Sequence, residues 1–337
     1  MMEMKKNLII RDYNNIVTSY WFWADQFLMA NQVEDGILWM INNFINIKFN
    51  PDWFPGGIYF ANNEYRNKMV EFYDCPFFKT QKILYDREKK IFGENIINFS
   101  IENIAKNRFV LMRVDRFFLG RGEKKNEHEI LLHGYNIKER KFYYSDNGDT
   151  GKFTVNIPCS FDELERALIN TKFFIDEPDL SDSLFTFDVY PNEMYKLNPK
   201  KILFQLNQYL NSEQLSFDGL YYNGISVYDA LINFFVSQIE GINEQYDWRG
   251  LCVLEDHKAV MIERIRYLSN NLKVEFKSLG MYINLKNTCN ILVMLYLKYI
   301  YSKEKKVLKQ IIEMLKRISE MENSALQKFI DELKNVL

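Results

Sequence analysis

The chain has 337 residues, of which 47% are hydrophobic and 26% charged, and its mean hydropathy is −0.30. These values are typical of a globular protein, and they exclude an intrinsically disordered chain and a protein made mostly of membrane spans. The 43 Lys and Arg residues nearly balance the 45 Asp and Glu residues. No strong electrostatic field therefore attracts nucleic acid or an anionic membrane surface.

The length favours two domains, because single domains cluster at about 100–200 residues. Only three consecutive apolar residues precede Arg11, too few for the core of a signal peptide. The longest apolar run, residues 291–297, is far shorter than the roughly 20 residues of a membrane span. We therefore expect a cytoplasmic protein without membrane association.

The four cysteines stand at positions 75, 159, 252 and 289 and form no CxxC motif. This wide spacing indicates neither a zinc site nor a disulfide framework. We expect free thiols, no metal and no cofactor.

The first predicted element is a helix over residues 16–30, with the sequence IVTSYWFWADQFLMA. Asn14, Asn15 or Thr18 is available to cap its start. Its apolar residues surround most of the helix axis, so several sides of the helix have to be covered. We expect this helix at the centre of the N-terminal domain.

Strand patterns follow the helix. We predict strands over 109–118, 129–135, 141–145, 153–157 and 185–190, of which the second and third form an antiparallel hairpin. Ser160 followed by Glu163 is a capping-box signature, which predicts a short helix ending at about Asn170.

From about Pro199 the pattern changes to long amphipathic helices. They are predicted over 200–211, 227–242, 255–272, 288–302 and 303–337, the last broken near Asn323. The predicted fold class is therefore α+β. An N-terminal domain of residues 10–195, built from a central helix and an antiparallel sheet, precedes an all-helical domain of residues 199–337.

Residues that can carry chemistry concentrate in the hairpin. The strand alternation places His128 and His133 on opposite faces, which argues against a joint metal site. The hairpin returns Asp146 and Asn147 to the neighbourhood of His128. A carboxylate there can orient an imidazole and stabilise its protonated form.

Other charged residues receive less specific interpretations. His257 lies in the charged helical segment EDHKAVMIER, and we expect it at a surface or between domains. Arg113, Arg116 and Arg121 lie near the hairpin and are expected on a solvated face. The alternative is that they hold a carboxylate or a carrier phosphopantetheine.

The hairpin contains the pattern H-x-(apolar)3-x-G-(aromatic), then a turn, then (aromatic)-x-x-D. This pattern resembles the His and Asp hairpin of papain-like cysteine peptidases of the bacteriocin-processing kind. With VDRFFL upstream and DWRGLCVLEDHKAVMIERIRYL in the helical half, residues 10–320 resemble the family of butirosin biosynthesis protein H. Members of that family are found beside genes for nonribosomal peptides and other natural products.

The resemblance implies a papain-like fold and acyl transfer. In that family a Cys at the start of the first long helix takes an acyl group from a carrier-protein thioester and passes it to an amine. His128 takes the base position and Asp146 the orienting position, with Asn147 as a second candidate. The family's Cys falls between positions 17 and 20, where this chain has Thr18 and Ser19. The implied partners are an acyl or peptidyl carrier protein or a small-molecule amine acceptor.

Three hypotheses about function remain open. The first is an acyltransferase or amide-forming enzyme that uses Ser19 or Thr18 as its nucleophile. The second is a catalytically inactive papain-like scaffold or binding protein in a biosynthetic complex, which the missing cysteine favours. The third is a structural protein whose helical half mediates homo-oligomerisation. The surroundings and exposure of His128 discriminate among them.

Overall fold

A computed structural model describes most of the chain. The described residues are 3–11, 16–50, 57–61, 75–84, 96–122, 124–147, 153–171, 183–213, 222–242 and 248–337. The candidate caps Asn14 and Asn15 lie outside the described residues. The described helices are α1 Trp21–Ala30, α2 Ile37–Asn43, α3 Ile96–Ala105, α4 Phe161–Ile169, α5 Pro199–Leu210, α6 Val227–Glu240, α7 Arg249–Leu272, α8 Ser278–Ser302 and α9 Lys305–Lys334. The described strands are β1 Lys5–Asn7, β2 Asn46–Asn50, β3 Gly57–Ala61, β4 Phe78–Leu84, β5 Arg108–Asp115, β6 Glu127–Asn136, β7 Lys141–Asn147, β8 Phe153–Ser160, β9 Ser183–Val189 and β10 Tyr222–Asn223.

The chain divides into two compact units. The first unit comprises residues 1–37 and 68–195, and the second comprises residues 38–67 and 196–337. Residues 38–67, which fall inside the predicted N-terminal domain, therefore group with the C-terminal half of the chain. Helices combined with antiparallel sheets make the fold class α+β.

A seven-stranded sheet organises the first unit. Its strand order is β4-β9-β5-β6-β7-β8, and β1 pairs with β6. Each of these pairings is antiparallel. The predicted hairpin is confirmed as β6–β7, in which Leu131 lies opposite Ser145. The apolar side chains of β6 at Ile130, Leu131 and Leu132 are fully buried, so the hairpin belongs to the core of this unit.

Helix α1 is buried from Phe22 to Ala30 and contacts β7, which agrees with the predicted covering on several sides. Its predicted start was wrong, because the helix begins at Trp21 after an extended Tyr20. The carbonyl oxygen of Thr18 accepts a hydrogen bond from Asn147 Nδ2 at 2.8 Å. Thr18 and Ser19 therefore precede the helix and do not lie in its first turn. Asn147, at the end of β7, holds the segment that contains them.

Helix α4 begins where the capping box predicts. The Ser160 hydroxyl accepts from the Glu163 amide at 3.1 Å. The Glu163 carboxylate in turn accepts from the Ser160 amide at 2.6 Å. Two amides that the first helical turn leaves without intrahelical partners are thereby bonded.

The second unit combines long helices with a three-stranded antiparallel sheet of order β10-β2-β3. The prediction of an all-helical region over 199–337 was therefore wrong, since β10 lies within it. The predicted break in the last helix was also wrong, because α9 continues through Asn323. Asn323 is exposed, and its weak helix propensity is outweighed by the apolar residues that α9 buries on both sides of it. No helix of the described residues is long and apolar enough to cross a membrane.

Candidate functional site: a His–Asp–Arg cluster on the central hairpin

His128 lies near the start of β6, and its ring contacts the end of β7. Its Nδ1 atom is 3.2 Å from Asp146 Oδ1 and 2.9 Å from the carbonyl oxygen of Glu129. The contact between His128 and Asp146 is the one that the hairpin geometry predicts. The His128 side chain is 20% exposed, whereas that of Asp146 is fully buried. The carboxylate is thus enclosed while part of the imidazole reaches the surface.

The partners of His128 determine its neutral tautomer. A carboxylate oxygen and a carbonyl oxygen are both acceptors, so the Nδ1 atom between them has to carry the proton. The lone pair of the neutral ring then lies on Nε2, on the far side of the ring from Asp146. This is the form in which an imidazole acts as a general base.

Arg116 is the second partner of Asp146. It follows β5 in the 3-10 turn Arg116–Leu119, in which the Phe117 amide donates to the carboxylate of Asp115. Arg116 Nη1 donates to Asp146 Oδ1 at 3.2 Å and to the carbonyl oxygen of Asn147 at 2.8 Å. Its side chain is only 5% exposed, so the expectation of a solvated face was wrong for this arginine.

The strand register explains why Arg116 reaches this cluster. Val114 lies opposite His128 in the β5–β6 ladder. Arg116 follows Val114 by two positions, directly after β5 ends at Asp115, so it lies beside the start of β6 along the chain. This position was a usable signal for placing Arg116 beside His128, but it requires the register of the two strands.

Asn147 ties the end of β7 to the segment that precedes α1, through its hydrogen bond to Thr18. The side chain of Ser19, the next residue, is 1% exposed, and Thr18 is half-buried. The described contacts therefore join the predicted site residues in two pairs, His128 with Asp146 and Thr18 with Asn147. Ser19 adjoins the second pair along the chain.

Asp25 is a buried carboxyl that the sequence reasoning missed. It lies in the middle of α1, and its Oδ1 atom accepts a hydrogen bond from the Ser145 hydroxyl at 2.7 Å. Burial raises the pKa of Asp25 well above its usual value, and the nearby carboxylates of Asp146 and Glu129 add to this rise. A single Asp in an otherwise apolar helix was the signal available in the sequence.

The other two histidines lie away from solvent. His133 is fully buried, its Nδ1 atom is 3.1 Å from Asn7 Oδ1, and burial lowers its pKa to about 3. His257 is also fully buried, so its predicted surface position was wrong; it does not lie between units either, because its partner Ile45 belongs to the same unit. Its Nε2 atom is 2.7 Å from the carbonyl oxygen of Ile45. Within the described ranges, no group of three or more His, Cys, Asp and Glu side chains is placed to hold a metal ion.

The cysteines are free thiols, as predicted. Cys75, Cys159 and Cys289 are buried, and Cys252 is partly exposed. Burial raises the pKa of Cys159 and of Cys289 to about 12, and it also raises that of Cys75. Since the thiolate is the nucleophilic form, burial disfavours the reactive state of these three side chains.

A scan of the chain against protein-family models found no match, and a search of curated proteins found no significant match.

Proposed function

We propose that the first unit is a papain-like acyl-transfer domain of natural-product biosynthesis. In this proposal His128 is the general base, Asp146 orients it, and Ser19 supplies the attacking hydroxyl. The observation that supports it is the contact of His128 Nδ1 with the buried Asp146 carboxylate, which directs the Nε2 lone pair away from that carboxylate. The buried helix α1 and the antiparallel sheet agree with the arrangement that the family resemblance implies.

The proposed reaction has two transfers. The Ser19 oxygen bonds to the acyl carbon of a carrier-bound or peptidyl thioester while its proton moves to His128 Nε2. The carbon–sulfur bond then breaks, and the departing sulfur takes that proton. A small-molecule amine next attacks the acyl-serine ester, and its proton returns through Nε2 to the serine oxygen. Thr18 is the neighbouring alternative for the nucleophile, because it shares the segment held by Asn147.

Replacing the hydroxyl by a thiol tests this proposal. A thiol beside an imidazole ionises far more readily than a hydroxyl, so Ser19→Cys should react quickly with an acyl N-acetylcysteamine thioester. Intact-mass measurement should show one acyl group added, and adding His128→Ala should slow acylation by roughly 100-fold. Ser100→Cys is the matched control, because Ser100 is fully buried in α3 of the same unit. It should stay unmodified.

The outcome that contradicts enzymatic acyl transfer is equally definite. If neither the native protein nor Ser19→Cys gains an acyl group, His128 is not the base for a nucleophile at this position. Equal modification of Ser19→Cys and Ser100→Cys would also contradict the proposal, because the reaction would then owe nothing to His128.

The second candidate function is a non-catalytic scaffold that binds an acyl or peptidyl carrier protein. The observation that favours it is the 1% exposure of Ser19, which limits direct attack on a bulky thioester. In that case a loaded carrier protein should bind the native protein without any acyl adduct. Calorimetry of that binding, together with the mass measurement, separates the two functions.

A further inference from the structure

One oxygen of Asp146 has two partners of different kinds. Asp146 Oδ1 is 3.2 Å from His128 Nδ1 and 3.2 Å from Arg116 Nη1. Asp146 is fully buried and Arg116 nearly so. Since the interior screens charges weakly, the guanidinium and the carboxylate form an ion pair, and the charges of both groups influence the protonation of the imidazole.

Several other charged side chains of the described residues near His128 form ion pairs of their own, and Arg121 interacts with Tyr144, which also lies near Asp146. On β5 and β6, Arg113 Nη1 lies 3.5 Å from Glu129 Oε1. In the loop that leads into β6, Lys125 Nζ lies 3.4 Å from Glu127 Oε1 and 3.8 Å from Asp115 Oδ2. Glu127 and Asp115 therefore share one cation, whereas Glu129 has a cation of its own.

Helix α1 adds one further titratable group. Burial raises the pKa of Asp25 well above its usual value, so this carboxyl holds its proton more strongly than an exposed aspartic acid does. Asp146 is the carboxylate that the described contacts place against the ring, and Arg116 is its cation.

We propose that Arg116 is a positioning residue that neutralises Asp146, so that the carboxylate orients His128 without holding it in its protonated form. The inference rests on the proposed function, in which His128 has to be a neutral base. Without Arg116, the uncompensated carboxylate would stabilise the imidazolium ion. The Nε2 lone pair would then be occupied by a proton over a wider range of pH.

The test follows the His128 ring by NMR and needs no turnover. The imidazole Cε1–H signals of 13C-labelled protein are recorded between pH 5 and 8. The chain has three histidines, and burial lowers the pKa of His133 and of His257, which distinguishes their signals from that of His128. In Arg116→Gln its titration midpoint should rise by about one pH unit or more.

Two matched variants define the cause of the shift. Arg116→Lys keeps the positive charge and should move the midpoint by less than half as much. Arg113→Gln removes an arginine that pairs with Glu129, and it should leave the midpoint nearly unchanged. An unchanged or lower midpoint in Arg116→Gln overturns the inference. An equal rise in Arg113→Gln also overturns it, because the loss of any nearby positive charge would then shift the midpoint.

Arg116→Gln leaves a buried carboxylate without its cation and is therefore prone to unfold. A second comparison avoids this difficulty. Asp146→Asn and the double variant Arg116→Gln/Asp146→Asn should have the same His128 midpoint, because Arg116 acts through Asp146. Different midpoints contradict that route. The 15N shifts of the native ring should also show Nδ1 protonated above the midpoint, and a proton on Nε2 would contradict the proposed orientation.

The two proposals fail in distinguishable ways. If the midpoint shifts as expected but no acyl adduct forms on Ser19→Cys, the electrostatic role of Arg116 stands and acyl transfer fails. If the adduct forms but the midpoint does not shift, acyl transfer stands and Arg116 has no such role.

Discussion

Each unit of the molecule holds a contact chain of one imidazole, one carboxylate and one cation, but the order of the three groups differs. In the first unit the carboxylate of Asp146 lies between Arg116 and His128. In the second unit the cation makes the two closest contacts, and His257 Nδ1 lies 3.6 Å from Glu322 Oε1. There Lys258 Nζ is 2.5 Å from Glu322 Oε1 and 2.8 Å from His257 Nδ1.

This difference in order reverses the tautomer of the ring. Lys258 is a donor, so His257 Nδ1 accepts, and His257 Nε2 carries the proton that it donates to the carbonyl oxygen of Ile45. Both ring nitrogens of His257 are therefore bonded, and the side chain is fully buried. The Tyr228 hydroxyl donates to the other oxygen of Glu322. The imidazole of the second unit is thus fully enclosed and bonded at both nitrogens, whereas the imidazole of the first unit is partly exposed.

The largest effect is expected from breaking the buried pair of the second unit. Glu322→Gln leaves the Lys258 ammonium buried without a carboxylate, which should lower the free energy of unfolding by about 3–5 kcal/mol. Urea denaturation measures this change. Glu313→Gln is the control, because it removes an exposed pair with Lys316 and should change stability by less than about 0.5 kcal/mol. Equal effects of the two variants would show that burial of the pair does not matter.

The second prediction concerns pH. Burial lowers the pKa of His133 to about 3 and depresses that of His257 as well. The unfolded chain therefore takes up protons at these rings first. The contribution of the two neutral rings to the free energy of unfolding is fully present above about pH 6.5. At lower pH this free energy should decrease by up to about 1.4 kcal/mol per pH unit for each ring. Urea denaturation at pH 7.5, 6.5 and 5.5 checks this, and a constant unfolding free energy across that range would contradict it.

The third prediction concerns Asp25, the buried carboxyl of α1. Asp25 has a raised pKa in the folded state because it is buried. The neutral acid contributes stability at low pH, and this contribution is lost as the pH rises through the folded-state pKa. Asp25→Asn, a neutral isostere, should therefore raise the Tm at pH 7, and the gain should vanish near pH 3. Asp25→Ala removes the acceptor of the Ser145 hydroxyl and should lower the Tm instead.

The smallest effect is expected at Asn147. Asn147→Ala removes one hydrogen bond to Thr18 and should lower the unfolding free energy by about 0.5–1.5 kcal/mol. It should also slow acylation of Ser19→Cys, because the segment before α1 is then held less firmly. Asn103→Ala removes a similar bond to Phe99 within α3. It should match the stability loss without slowing acylation, and a matching loss of reactivity would refute the positioning role of Asn147.

The sequence predicts best those features that depend on neighbouring residues. The capping box at Ser160 and Glu163 locates the start of α4, and the hairpin pattern brings Asp146 to His128. The start of α1 was not predictable in this way. It depends on a hydrogen bond between Asn147 and Thr18, which lie far apart in the chain.

His257 shows a signal that was present but outweighed by its charged neighbours. Leu254, His257, Met261 and Leu268 are buried on α7 and follow the three- and four-residue spacing of one helix face. On α9, Glu322 is spaced in the same way from the buried apolar residues Ile318 and Ala325. The spacing predicts burial of both residues, but their pairing with Lys258 depends on how the two helices pack.

The grouping of residues 38–67 with the second unit affects how the protein is made. Arg264 on α7 donates to the carbonyl oxygens of Met40, Ile41 and Phe44, so this early segment bonds to a helix translated much later. At about 5–20 residues per second, the ribosome needs on the order of ten seconds or more to reach that helix. During this interval β2 and β3 lack the helices that cover them, so their burial has to wait for the end of the chain.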